Sequence, residues 1–316
     1  MTQKVGILAG GWNVEREVSL TSSLKSQKAL QNQGYDTVII DVGENLIELL
    51  QTIQKENIDT IFNGLHGRIG EDGAVQGVLK YIRIPYTHSG VLASSISMDK
   101  QIAKSLLQNR DILMPKGECI NVAEFEDYSP SFEGPYVLKP NTSGSSCGVH
   151  LESKKELSRE DIITYAKQFQ ADSDIYGHQI LVEEFIPGLE LTVGVVDNKP
   201  LTVTNIISHK GDFYNYASKY ESGGLTHQIP SEIHPHVFDL AMKNAKEIHD
   251  HIGAHYISRS DFRYNPEKDE LHFLEINLQP GLTPTSLVPK QAKHKGISFD
   301  DIIVGLVKHA TCHLDT

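Results

Sequence analysis

The sequence predicts a multi-domain α/β protein, and three observations carry that expectation. Apolar runs alternate with helical stretches over the first third of the chain, the pattern of βαβ units around a parallel sheet. Beyond residue 179 the pattern changes to closely spaced strands, separated by Pro187-Gly188 and Asp197-Asn198. The chain is 316 residues long, enough for two or three domains.

Lys4–Ala9, Thr37–Val42 and Thr60–Leu65 read as buried strands, and Glu17–Gln33 as the helix between the first two. Val75, Val78, Leu79 and Ile82 recur at helical spacing within Gly73–Ile82. Pro85 and Gly90 punctuate the end of this unit, and Ser94–Asn109 reads as a polar helix. Pro115 to Gly134 is mixed, Tyr136–Lys139 a short strand, and Ser153–Gln170 a helix rich in Glu and Lys. Gln179–Ile186, Glu190–Val196 and Pro200–Ile207 are strands; Pro230–Gly253 is a helix with Val237, Leu240, Ala241, Ala245 and Ile248 inward. A terminal helix places Ile302, Ile303, Leu306 and Val307 on one side. These elements divide into three α/β units, 1–95, 96–185 and 186–316.

Hydrophobic residues make up 39% and charged residues 22%, the balance of an ordinary soluble globular protein. A net charge of −12 argues against non-specific nucleic-acid binding and against an anionic membrane surface. No apolar run approaches the roughly 20 residues that span a bilayer. Met1-Thr-Gln-Lys4 runs straight into a strand-like segment, so no signal peptide is expected. Cys119, Cys147 and Cys312 form neither a metal pattern nor a disulfide framework, which fits a reducing cytosol. The histidines, His251 and His255 included, show no zinc pattern.

The stretch Arg259–Asn277 reads as a hairpin, its turn at Asn265-Pro-Glu-Lys-Asp-Glu270. With the turn centred near Lys268, Asp261 faces Glu275 and Arg259 faces Asn277. Strand alternation then puts Arg259, Asp261, Arg263, Glu275 and Asn277 on one face, and Phe262, Tyr264, Leu274 and Ile276 on the other. Opposed carboxylates repel unless a cation compensates, and two carboxylates with an amide oxygen suit Mg²⁺ bound with phosphate.

Other loops read as a ligand site or as ordinary turns. Neither G-x-x-x-x-G-K-[ST] nor G-x-G-x-x-G occurs, which disfavours P-loop and Rossmann nucleotide sites. Asn141–Gly148, after Lys139, is a small-residue loop that could cradle an anion or form a surface turn. His66–Gly73 follows a buried strand, where open α/β sheets bind ligands, yet Asp72 could simply cap a helix. In Gly10–Glu17, Glu15 would lie near a helix N-terminus, as a ligand contact or as a complement to the dipole. Val182–Glu190 could be an adenine hinge or any hairpin, and the aromatic stretch Phe213–Tyr220 a lid or a packed loop.

Together, GGWNVEREVSL, LHGRIGEDGAVQG, IPYTHSGVLASSISMDK, VLKPNTSGSSCGV, LVEEFIPGLELTV, SRSDFRY and LEINLQPGLTPTSLVPKQA resemble the D-alanine–D-alanine ligases of the ATP-grasp superfamily, in order and spacing, over nearly the whole chain. The resemblance implies an N-terminal substrate-binding domain and two ATP-grasp domains sandwiching the nucleotide. It implies transfer of the ATP γ-phosphoryl to one D-alanine carboxylate, then attack by the amine of a second, giving the dipeptide for peptidoglycan.

By matching position, Asp261, Glu275 and Asn277 would hold two Mg²⁺ ions, for which Mn²⁺ could substitute. Arg259 would stabilise the transferring phosphoryl. Lys100 and Lys139 would contact the α/β-phosphates and Lys219 the γ-phosphate. The hinge Glu183, Glu184 and Ile186 would read adenine by its backbone, and Glu190 the ribose. Glu15 and His66 would hold the first D-alanine, Ser145 and Tyr220 the lid and amine, and Gly281, Ser286 and Leu287 the second carboxylate. The resemblance also implies a cytoplasmic homodimer. Ser260, Leu278 and Leu282 depart from the usual pattern; strand parity puts the first two away from the metal ligands. Ligation of D-lactate or D-serine, or a catalytically dead nucleotide-binding protein, are the competing expectations.

Overall fold

The computed structural model describes residues 3–144, 148–153, 155–208 and 225–314. Among these residues the strands form three sheets. In the first, β1 (Lys4–Gly10) lies between β2 (Asp36–Val42) and β3 (Thr60–Asn63), all parallel. β1 is central and its core is Val, Ile and Leu, as a strand covered on both faces requires. α1 (Arg16–Asn32), α2 (Leu46–Lys55) and α3 (Ala74–Tyr81) complete this unit. α2 lies between β2 and β3, where no helix is expected from the apolar pattern alone. Its cues were present: Asn45 caps the Ile47 and Glu48 N–H groups, and Leu49 and Ile53 lie buried at i, i+4.

The polar helix expected over Ser94–Asn109 is instead two helices, α4 (Val91–Met98) and α5 (Lys100–Leu107). Asp99 breaks them apart: its backbone is extended and its carboxylate accepts the Ile102 N–H. Side-chain capping by Asp competes with helix continuation at this point.

The second sheet is antiparallel, in the order β4 (Gly117–Asn121), β7 (Gln179–Glu184), β5 (Tyr136–Pro140), β6 (His150–Glu152). α6 (Arg159–Ala171) covers it through Phe125, Tyr136, Leu138, Ile162, Phe169 and Ile180. α6 starts later than expected, because Ser158 and Asp161 form a reciprocal capping box. The short α7 (Ser173–Tyr176) follows.

The third sheet has the order β10 (Leu225–Gln228), β9 (Lys199–Ser208), β8 (Leu189–Val196), β11 (Ile257–Asn265), β12 (Glu270–Asn277), again antiparallel. α8 (Pro235–Ile252) packs on it; Pro235 at the first helical position and His234 as cap start it five residues after the expected Pro230. α9 (Leu287–His294) and α10 (Phe299–Lys308) end the chain. α10 does not extend the third unit alone. Ile302, Ile303 and Leu306 share one core with Val5, Ile7 and Phe62 of the first sheet. Tyr86 and Thr311 exchange backbone hydrogen bonds of 3.1 and 3.2 Å.

In the β11–β12 hairpin, Asp261 pairs with Glu275 and Arg259 with Asn277, as expected. A bulge after Asp261 then shifts the register, so Phe262 faces Phe273 and not Leu274. Phe262 and Phe273 are fully buried and meet edge to face, with centroids 5.9 Å apart. Leu274, expected on the apolar face, turns to line a cavity. Phe273→Ala should therefore cost about 3–5 kcal/mol of unfolding free energy. Leu274→Ala should cost a fraction of that, as urea denaturation of the two variants would measure.

Candidate functional site

A cavity of about 770 Å³ opens where the three sheets converge. Glu15, His66, Lys100, Lys139, Glu183, Glu184, Ile186, Glu190, Arg259, Asp261, Glu275, Asn277, Gly281, Ser286 and Leu287 all line it. Ser145, Lys219 and Tyr220, with the aromatic stretch Phe213–Tyr220, lie outside the described residues.

Its floor is the β11–β12 face. The Arg259 guanidinium forks onto Asp261, with Nη2 2.7 Å from Oδ2 and Nε 3.0 Å from Oδ1. Thr192 Oγ1 donates to Asp261 Oδ1 at 2.6 Å. Across the register, Glu275 Oε2 is 3.5 Å from Lys100 Nζ. Asn277 Oδ1 accepts the Gln279 N–H at 2.7 Å, which fixes its amide. No cluster of three or more His, Cys, Asp or Glu suited to a metal occurs among the described residues. Two carboxylates and one amide oxygen still fit Mg²⁺, a hard cation that keeps waters and takes phosphate oxygens to complete its shell.

Beside the floor lies a buried ion cluster. Lys100, Lys104 and Lys139 are 6–7% exposed and Glu183 only 2%. Glu183 divides its carboxylate, Oε2 to Lys139 Nζ at 2.7 Å and Oε1 to Lys104 Nζ. Lys100 Nζ also donates to the Ser143 carbonyl of the small-residue loop. Burial pulls the Lys100 ammonium below its ordinary pKa against the attraction of Glu275. Burial opposes the charged Lys139 too, but Glu183 and Glu275 outweigh it and raise that lysine. The Glu183 side chain thus faces lysines, and its hinge neighbours are held by the sheet: the Glu184 and Phe185 N–H groups donate to the Lys116 and Pro135 carbonyls. Arg263 secures the hinge end, with Nε 2.9 Å from the Ile186 carbonyl and its guanidinium over the Phe185 ring. Its Nη1 is 3.8 Å from Glu190 Oε2.

The far wall comes from the first sheet. Glu15, at the start of α1, is buried, and a Cβ on Gly67 would fall 2.4 Å from its Oε2. Gly67 has φ +70°, so only glycine permits both the turn and the approach. Asn13 ties the two loops, donating to the His66 carbonyl at 2.7 Å and accepting the Glu15 N–H at 2.9 Å. His66 is fixed by Glu71 at Nδ1, 3.0 Å, and by Ser22 at Nε2, 3.2 Å. Burial disfavours its imidazolium, yet the hydrogen bond and charge of Glu71, joined by Glu15, raise its pKa. At the remaining corner, Ser286 Oγ accepts the Thr283 N–H at 3.1 Å, and α9 starts at Leu287 beside it.

The comparisons bear on this arrangement. Residues 113–308 match the family model described as D-ala D-ala ligase C-terminus, and residues 43–89 that described as D-ala D-ala ligase N-terminus. The chain belongs to the D-alanine–D-alanine ligase family. It is 42% identical over 313 residues to a D-alanine–D-alanine ligase of Granulibacter bethesdensis, covering 98% of each chain. The corresponding protein of Rhodospirillum rubrum is 41% identical over 313 residues, with 99% of each covered. Among solved structures, a D-alanine–D-alanine ligase from Bacillus anthracis complexed with ATP superposes with a TM-score of 0.80 at 25% identity, over 98% of this chain and 97% of that one.

Several further residues of this ligase-family site are not marked by the motifs above. Lys104 follows Lys100 at i+4, and that spacing within a helix was the available cue. Gln279 had no local cue. It is buried, and its amide reaches the Asn63 carbonyl at 3.2 Å and the Asn63 side chain at 3.1 Å, across 216 positions. His227 and Lys290 also line the cavity, 3.0 Å apart. Of the departures from the ligase pattern, Ser260 is buried beneath the floor as strand parity predicts; Leu278, one residue past the end of β12 where parity no longer applies, is buried yet lines the cavity, and Leu282 packs with the core of α9 and α10 while also touching it.

A raised native pKa means that the His66 imidazolium stabilises the fold fully below its ordinary 6.5, and that this contribution fades as pH rises through the native value. Glu71→Gln should lower the His66 pKa, because one of two facing carboxylates is gone; an NMR titration of the ring protons would show it.

Proposed function

We propose that this chain is an ATP-dependent carboxylate–amine ligase that joins two D-alanines. The observation that carries the reading is one cavity in which a carboxylate–amide floor, buried lysines and the Glu15–His66 wall face one another. The lysines suit a polyphosphate, the floor suits divalent cations, and Glu15 suits the ammonium of a small zwitterion. A carboxylate is a poor acyl donor. In the first step its oxygen attacks the γ-phosphorus and ADP departs, leaving D-alanyl phosphate. The neutral amine of the second D-alanine then attacks the acyl carbon, and phosphate leaves from the tetrahedral intermediate. Catalysis is chiefly positioning and charge neutralisation.

Asp261, Glu275 and Asn277 would hold two Mg²⁺ ions, or Mn²⁺ in their place, which would neutralise charge on the ATP phosphates when bound. Arg259 would meet the developing charge, Lys100 and Lys139 the α/β-phosphates, and Lys219 the γ-phosphate. Backbone groups at Glu183, Glu184 and Ile186 would take adenine, and Glu190 the ribose. Glu15 and His66 would orient the first D-alanine. Gly281, Ser286 and Leu287 would receive the carboxylate of the second, with Ser145 and Tyr220 orienting its amine. The proposal includes three domains, 1–95, 96–185 and 186–316, a homodimer, and a cytoplasmic role in supplying the peptidoglycan dipeptide. No helix among the described residues is long and apolar enough to cross a membrane.

Purified protein with ATP, Mg²⁺ and D-alanine should release phosphate and yield D-alanyl-D-alanine. Activity with another amino acid but none with D-alanine would sink the substrate assignment, and a preference for D-lactate as acceptor would reassign the second site. Glu275→Ala should reduce turnover to background, because Asp261 and Asn277 would be left to hold the divalent cations with a single carboxylate; near-normal rates would refute the metal role.

A further inference from the structure

Lys104 is the one lysine of the buried cluster that does not line the cavity; it stands behind Glu183. It is as buried as the two lysines that do line it. A lysine so placed is a costly choice unless it is paired, and its carboxylate partner is shared with Lys139. The charge count gives this sharing a consequence. Lys100, Lys104 and Lys139 bring three positive charges, and Glu183 and Glu275 two negative ones, which leaves an excess of one in a poorly solvated region. Without Lys104 the excess would be zero, and both oxygens of Glu183 would be available to Lys139.

We propose that Lys104 is a positioning residue for the phosphate end of the cavity: it occupies one oxygen of Glu183, so that the Lys139 ammonium, held by the other, keeps uncompensated positive charge directed at the anion. The proposal rests on the reading of this end as the place of the ATP phosphates. Burial lowers Lys104 to about 8, against the attraction of Glu183, so the side chain stays charged at neutral pH. In the same reading adenine meets backbone groups of the hinge and not the Glu183 carboxylate, so a neutral nucleoside does not sense how that carboxylate's charge is shared. Lys104 should therefore affect ATP and leave adenosine alone.

The test is equilibrium binding of ATP and of adenosine to the full-length chain, with Lys104→Met and Lys104→Arg beside the wild type. Lys104→Met should weaken ATP about tenfold, the effect of one lost charge contact. Adenosine affinity should stay within about twofold, and Lys104→Arg should restore most of the ATP affinity. In turnover, the KM for ATP should rise in Lys104→Met while the KM for D-alanine holds. Should Lys104→Met fail to fold, Lys104→Gln keeps a donor to Glu183 but removes the charge, so the full charge of that carboxylate falls to Lys139 and ATP should weaken while adenosine holds. Equal losses for ATP and adenosine, or no loss for either, would overturn the proposal by showing a role in packing alone. A wild type that binds ATP but releases no phosphate with D-alanine would refute the ligase reading and leave the ATP–adenosine comparison intact.

Discussion

The opposition of Asp261 and Glu275 across β11 and β12 is the constraint around which the site is organised. Two carboxylates face to face on neighbouring strands repel, and the strands meet there because the rest of the hairpin demands it. The bulge follows at once and aligns Phe262 with Phe273 in the core, so apolar packing on one side of the sheet holds the unfavourable pair on the other. Arg259 and Thr192 compensate Asp261, and Lys100 compensates Glu275, without removing either from the cavity. The residual field is one that a cation would relieve.

The floor is useful only if the other walls stand at a defined distance from it. Gln279 supplies that fixity. Its backbone N–H holds Asn277, while its side chain is bonded to Asn63 and Leu65 at the end of β3. One glutamine thereby sets the height of the His66 loop above the floor. A buried amide needs all its hydrogen bonds, so the arrangement is specific: any shift of one wall orphans polar groups of the other. The second sheet is secured differently, by charge. Glu183 on β7 gathers a lysine from β5 and one from α5, and Lys100 on α5 reaches the floor.

Local chemistry explains what could be read from the chain. The parallel βαβ pattern, the hairpin and the face shared by Arg259, Asp261, Glu275 and Asn277 follow from periodicity alone, and the structure has them. Parity failed one step later, at Leu274, because a bulge is a tertiary compromise with no sequence marker here. The break at Asp99 was legible in principle, since Asp before a helical run is a cap; the polar run on both sides concealed it. The placement of Glu15, His66 and Ser286 in one cavity came from motif resemblance and not from periodicity. Gln279 was illegible for a plainer reason: it acts on a partner far away in sequence, and nothing nearby announces it, whereas the i+4 spacing of Lys104 from Lys100 marked a shared helix face without naming Glu183.

The last helix has a consequence of another kind. α10 completes the core of the first sheet, joining Ile302, Ile303 and Leu306 to Val5, Ile7 and Phe62, and Tyr256 fills the space over Gly305 so closely that a Cβ there would overlap its hydroxyl. During synthesis the first sheet leaves the ribosome long before its cover exists. The opening residues must wait with an apolar face open to water until the closing residues arrive. The native core therefore joins segments of high sequence separation, the kind of contact that forms late because a long loop must close first. Truncation after α9 would leave every residue named in the cavity in the chain and still deprive the first wall of its support.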